Sequence, residues 1–203
     1  HPGIYAIADE IYEYINFTGE HVSLASFPAV KDQVITVNGF SKGYAMTGWR
    51  LGYLAARPEV AAACDKLQGQ MTSGTCSIAQ RAGLAALQGG RTSADEMVAA
   101  YRRRRDMVLE LVKDIPGLVT PTPEGAFYIF PNVAAFFGRT TPEGTVIHDS
   151  SDLALYLLHD AHVSSVGGDS FGAPDCMRFS TAAADEKLRT AFERIKVSLA
   201  KLG

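Results

Sequence analysis

Three short apolar runs constrain this chain most: Ile4-Tyr5-Ala6-Ile7-Ala8, Val34-Ile35-Thr36-Val37 and Leu51-Gly52-Tyr53-Leu54-Ala55. Each is rich in β-formers, and none shows the strict alternation of a strand with one wet face. Such runs predict strands buried on both faces, in a parallel or mixed sheet covered by helices. Polar chemistry follows the first two closely: Asp9-Glu10 after one, Ser41-Lys42 after the other. In open α/β sheets, ligands collect beyond the carboxyl ends of strands. Asp9 and Lys42 are therefore candidates for one crevice.

Helical signals come next. Pro58 suits the start of a helix to about Met71, and a second runs from about Thr75 to Leu87 before Gly89-Gly90. A long helix is expected from Ser93 to Asp114, stopped by Pro116-Gly117. The texture then changes. Residues 118–122 and 126–130 predict two paired strands around a turn at Pro123-Glu124-Gly125. Ser151 is expected to cap a helix to Ala161, 177–180 is a short strand, and 184–202 an amphipathic helix. Two domains are expected: an α/β part over 1–95 and an α+β part over 96–203, entered by the long interdomain helix.

Charge and cysteine content exclude several classes. A net charge of −3 over 203 residues gives no electrostatic reason to expect nucleic acid as a partner. "RRRR" at 102–105 does not change this, since consecutive helical residues point about 100° apart. Pairing with Glu96, Asp106 and Glu110 along the helix is expected instead. No apolar run nears the roughly 18 residues of a membrane span, so no membrane partner is expected. Cys64, Cys76 and Cys176 are odd in number and form no CxxC pair, which fits a reducing cytosol and a cytoplasmic protein. His159 and His162 in "HDAH" lack further ligands, so no metal site is expected.

A lysine leaving a strand is often a solvated charge, Asp9 could cap a helix, Arg50 could form a surface ion pair and Tyr12 could merely pack. The spacing in "GFSKGYAMTGWRLG" points further. Lysine is followed after seven residues by Arg50, a forked donor suited to a phosphate, while Gly43 and Gly48 permit tight turns.

Residues 39–52 resemble the lysine segment of the class I and II aminotransferases, the fold-type-I enzymes that use pyridoxal 5'-phosphate. "IADEIYEYINFTGEHVSLAS" at 7–26 resembles the family's Asp-Glu-x-Tyr strand end. "GAFYIFP" at 125–131 and "VGGDSFGAPDCMRFSTA" at 166–182 resemble its C-terminal domain. The resemblance implies an α/β fold: the C-terminal part of the aspartate aminotransferase-like large-domain sheet, plus a small α+β domain. It also implies roles. Lys42 would form the Schiff base (the internal aldimine) with the cofactor aldehyde and carry the proton. Asp9 would pair with the pyridine nitrogen, Tyr12 with the ring's phenolic oxygen, and Ser41 and Arg50 with the phosphate. Arg178 would clamp the substrate α-carboxylate.

The chemistry needs these residue types. An amine attacks a carbonyl only when neutral, a carboxylate keeps a ring nitrogen protonated, and an arginine fork fixes a planar carboxylate. The resemblance also implies amino acid and 2-oxo acid substrates, and a homodimer in the full-length enzyme. "QGQMTSGTCSIAQ" at 68–80 and the tryptophan of "TGWR" favour the aspartate aminotransferase branch, aspartate with 2-oxoglutarate. An aromatic aminotransferase, a carbon–sulfur β-lyase on the same fold, and an inactive C-terminal fragment are the alternatives.

Two departures accompany the resemblance. Gly167-Gly168 stands where the family has Pro-Gly, which predicts a looser loop before Phe171. Family members are also longer, with the counterpart of Asp9 near mid-chain. A chain opening on His1 rather than methionine is thus expected to be the C-terminal portion of such an enzyme, with too few strands for a fully covered sheet.

Overall fold

A computed structural model describes His1 and residues 3–203. Backbone contacts divide the chain into two compact units, His1–Val98 and Ala99–Gly203.

The first unit holds a three-stranded mixed sheet in the order β1-β2-β3. β1 (Ala6–Asp9) runs parallel to β2 (Val34–Gly39), with Asp9 opposite Val37. β3 (Gly52–Ala55) runs antiparallel to β2, with Gly39 opposite Gly52. Two helices follow, α1 (Pro58–Met71) with proline in its first turn and α2 (Ser77–Gln88). The mixed sheet agrees with the sequence reading, but burial on both faces does not. β3 is exposed throughout, Ile7 of β1 is 73 % exposed, and α1 carries no buried residue. Among the described residues of this unit too little apolar surface faces the sheet to cover it: only Ile15, Phe17, Val34, Phe40, Leu51, Ala79 and Ala94 are buried hydrophobics among them.

α3 (Thr92–Lys113) carries Asp95 in its first turn and Lys113 in its last, both favourable to the helix dipole. The second unit is the better packed. Val108 and Val112 of α3 join Ile129, Phe136, Leu153, Met177, Phe192 and Ile195 in one core. α5 (Asp185–Leu199) contributes Leu188, Phe192, Ile195 and Leu199, spaced to form a single apolar stripe.

The second sheet has the order β4-β6-β5. β4 (Tyr128–Ile129) pairs antiparallel with β6 (Met177–Ser180), and β5 (Val166–Gly167) lies on the other side of β6. The hairpin expected between 118–122 and 126–130 is therefore absent. Val119 makes only an isolated bridge to Asn132. Pro121 and Pro123 lack the N–H that a ladder requires, so this stretch cannot serve as a strand.

α4 (Ser150–Tyr156) passes into a wider turn over Leu157–Ala161. Its cap is Asp149 rather than Ser151: the Asp149 carboxylate accepts the N–H groups of Ser151 and Asp152 at 2.8 and 2.9 Å. The arginine run finds one of its expected partners, Asp106, and a further one beyond the helix. Arg103 and Arg104 both pair with Asp185 at the start of α5, at 3.4 and 2.8 Å. Arg105 pairs with Asp106 and donates to the Pro123 carbonyl, while Glu110 takes Lys113. Among the described residues no helix is long and apolar enough to cross a membrane, and no three metal-ligating side chains gather.

Candidate active site

Ladder register decides which side chains share an edge. Asp9 ends β1, Ser41 and Lys42 follow the end of its parallel neighbour β2, and Arg50 precedes the antiparallel β3. All four thus leave the same edge of one sheet. Asp9 is exposed; Ser41 and Lys42 are half-buried, and Arg50 is exposed.

At the β1 end the Asp9 Oδ1 accepts the Ile11 N–H at 3.2 Å, turning the chain and setting half-buried Tyr12 just beyond. Its Oδ2 has no hydrogen-bond partner among the described residues. Glu10 faces the other way, as strand alternation requires. It is buried, accepts the Ser23 hydroxyl at 2.7 Å and meets His21 Nε2 at 3.2 Å. That pairing holds the loop over 11–23 beneath the strand end.

Past β2 the chain folds into a tight turn. The Ala45 N–H donates to the Lys42 carbonyl at 3.2 Å, and the Met46 N–H to the Phe40 carbonyl at 3.1 Å. Asn38, buried in β2, accepts the Gly39 N–H and donates through Nδ2 to Glu13 at 2.9 Å. Arg50 sits in the left-handed region with φ 51°, a conformation costing a non-glycine residue about 1–3 kcal/mol. Its Nη1 donates to the Thr47 carbonyl at 2.7 Å, fixing the guanidinium against its own turn. An open groove of about 520 Å³ between β3, α1 and α2 contains none of these groups.

Arg178 belongs to the second unit and lies on β6, opposite Val166. Its guanidinium carbon is 4.5 Å from the Tyr128 ring centroid and 4.5 Å from that of Phe171. Two aromatic faces therefore hold the fork's plane, a contact worth about 0.5–2 kcal/mol each. The loop before Phe171 is tied rather than loose. The Gly168 N–H donates to the Cys176 carbonyl at 2.8 Å and to Ser150 Oγ at 3.0 Å. A Cβ at Gly167 would lie 2.8 Å from Ser151 Oγ, which accounts for glycine where the resembling family has proline.

Comparison with known sequences decides the family: the pattern of aminotransferase class I and II matches residues 1–195. The chain belongs to the class I and II aminotransferases. It is 44 % identical to the aspartate aminotransferase of Pinus pinaster, over 98 % of this chain and 41 % of that protein. It is also 44 % identical to the bifunctional aspartate aminotransferase and glutamate/aspartate-prephenate aminotransferase of Petunia hybrida, over 98 % of this chain and 42 % of that one. The solved aspartate aminotransferase of Rhizobium meliloti superposes with a TM-score of 0.94 at 40 % identity, over all of this chain and 51 % of its own. The chain thus spans about half the length of the relatives it matches. As a class I and II aminotransferase chain, it has the α/β fold of the pyridoxal-phosphate transferases over the part it covers.

Sequence reasoning missed the supporting cast. The aromatic pair bracketing Arg178 was visible only as Tyr128 in "GAFYIFP" and Phe171 in "GDSFG"; nothing local ties either to residue 178. Glu10 with His21, and Asn38 with Glu13, join positions 11 and 25 residues apart and have no signature in spacing.

Proposed function

We propose that this chain forms the lysine-bearing part of a pyridoxal-phosphate-dependent aminotransferase, with aspartate and 2-oxoglutarate as the leading substrate pair. The register that brings Asp9, Ser41, Lys42 and Arg50 to one sheet edge is the observation that carries this reading. The donor set suits the cofactor group by group. Asp9 offers a carboxylate oxygen to the pyridine nitrogen, and Tyr12 a hydroxyl to the ring oxygen. Ser41 and Arg50 offer O–H and N–H donors to the phosphate, and Lys42 an amine to the aldehyde. On this reading residues 1–95 belong to the cofactor domain and 96–203 to the small domain.

When bound, pyridoxal phosphate supplies an aldehyde that captures the amino group and a ring that draws electrons from the substrate Cα. The chain's residues do the rest. Lys42 would hold the cofactor, and its free amine would take a proton from the substrate Cα. Asp9 would keep a proton on the ring nitrogen. Arg178, its plane set by Tyr128 and Phe171, binds the α-carboxylate with two parallel N–H donors and so orients the Cα–H bond.

A second acceptor, prephenate, is favoured by the activities for which relatives such as the Petunia protein are named. The enzyme works in the cytoplasm as a homodimer on amino and 2-oxo acids. Steady-state assay of aspartate with 2-oxoglutarate, and of glutamate or aspartate with prephenate, tests the assignment. Turnover of tyrosine or phenylalanine alone would move it to the aromatic aminotransferases, and cystathionine breakdown to the β-lyases.

A further inference from the structure

The residue after Lys42 has no side chain, and another residue fills its place. Gly43 is buried, and a Cβ built there would overlap Tyr14 Cδ2 and lie 3.1 and 3.2 Å from Tyr14 Cγ and Cε2. These are the near atoms of the ring, so a methyl group could enter only if the whole ring moved.

Tyr14 is itself held on two other sides. Its ring meets Tyr44 edge-on, with centroids 5.4 Å apart and planes at 74°, and the two side chains share a hydrogen bond. Tyr44 in turn packs on Phe40 at 5.5 Å. The Arg91 guanidinium lies 4.6 Å from the Tyr14 centroid and is anchored by Asp95 at 3.2 Å. The Lys42 turn, closed by Ala45 and Met46, is therefore packed against Tyr14 at both Gly43 and Tyr44.

We propose that Tyr14 is a positioning residue that sets the Lys42 turn by occupying the space a side chain at position 43 would need. The proposal rests on the reading of Lys42 as the reactive amine. Because Tyr14 lies two residues beyond Tyr12, one short segment sets a cofactor contact and the lysine turn together. The Tyr44 hydrogen bond, then burial, push the Tyr14 pKa well up, so the phenol is neutral at working pH. Its influence on Lys42 is therefore steric and not that of a nearby charge.

Competitive acetylation of lysines, read by peptide mapping on the purified full-length protein, gives the reactivity of Lys42 relative to Lys31 and Lys66 without cofactor. The rate of pyridoxal phosphate uptake is a second readout. Gly43→Ala should change that relative reactivity by about threefold or more and slow uptake about tenfold. Adding Tyr14→Ala opens room for the methyl group, and the double variant should recover most of both losses, a coupling absent from independent sites. Tyr14→Ala alone should also change the reactivity of Lys42, and it decides the matter if thermal melting shows Gly43→Ala unfolded. An unchanged Lys42 reactivity in either folded single variant, or a double variant as impaired as Gly43→Ala, overturns the proposal. A wrong assignment of Lys42 itself reads differently: borohydride would then label another lysine, whatever Tyr14 does to the reactivity of Lys42.

Discussion

Gly39 and Gly52 are direct partners across β2 and β3, and a Cβ on Gly39 would come within 2.9 Å of the Leu51 carbonyl and 3.0 Å of Gly52 Cα. Ser41 stands two residues after one glycine and Arg50 two before the other. The close approach therefore brings Ser41 and Arg50, the proposed phosphate donors, out of the sheet at one point. Ordinary side chains would prise the strands apart just where the site needs them together.

Gly39→Ala should destabilise the protein by about 1–3 kcal/mol, because the obstructing atoms are backbone and cannot rotate away. Gly48→Ala, with open space around its built Cβ, should change stability by less than about 0.5 kcal/mol. Urea titration of the two variants measures the contrast. Equal midpoints would show that the strands do not approach this closely.

Asp9→Asn should leave the fold intact, since the amide oxygen can still accept the Ile11 N–H. Proton transfer should slow by at least about a hundredfold, because a neutral amide cannot hold a proton on the ring nitrogen. Single-turnover kinetics followed at the cofactor's absorbance is the measurement. A variant retaining more than about a third of the parent rate, a change under roughly 1 kcal/mol, would remove Asp9 from this role.

Local pattern made the ingredients of that edge legible, and topology made the edge itself. The apolar runs and the Ser41-Lys42 spacing were readable because strand ends and glycine turns are local signals. The antiparallel direction of β3 was not, because nothing in Leu51–Ala55 records which neighbour it pairs with. The expected hairpin over 118–130 failed for a related reason. A turn signal at Pro123-Glu124-Gly125 competed with the prolines at 121 and 123, and β4 found its partner some fifty residues on, in Phe179 and Ser180. Counting strands gave only the general expectation of exposed apolar surface and did not single out Ile7 or β3, since a run's composition states what it would bury and not what lies over it.

Arg178→Lys should raise KM for amino and 2-oxo acids alike, by about tenfold or more, since a point charge replaces a stacked fork. Phe171→Leu, which strips one of the two aromatic faces, should raise KM less and leave kcat nearly unchanged. Loss confined to dicarboxylic substrates would make Arg178 a side-chain selector instead of the α-carboxylate clamp.

Tyr156 gives the second unit an alkaline limit. Its hydroxyl donates to the Ser198 carbonyl at 2.8 Å, and burial, with Asp160 nearby, pushes its pKa up to about 12. The unfolded chain ionises this phenol near its ordinary value of 10.0 while the folded chain keeps its proton. The contribution is thus complete below about pH 10 and lost as pH rises towards 12. Tm should fall across that window, and Tyr156→Phe should flatten the fall while costing about 1 kcal/mol at neutral pH. A variant with the parent's alkaline slope would exclude Tyr156 as its source.

The identity of the reactive amine is the central claim, and borohydride reduction tests it most directly. The protein loaded with pyridoxal phosphate is reduced, digested and mapped by mass spectrometry. The label is expected on Lys42 alone, and Lys42→Ala should bind cofactor without retaining it after reduction and should lack transaminase activity. A label on Lys31 or Lys66 in the same unit, or an unreduced Lys42 in an active enzyme, would contradict the account.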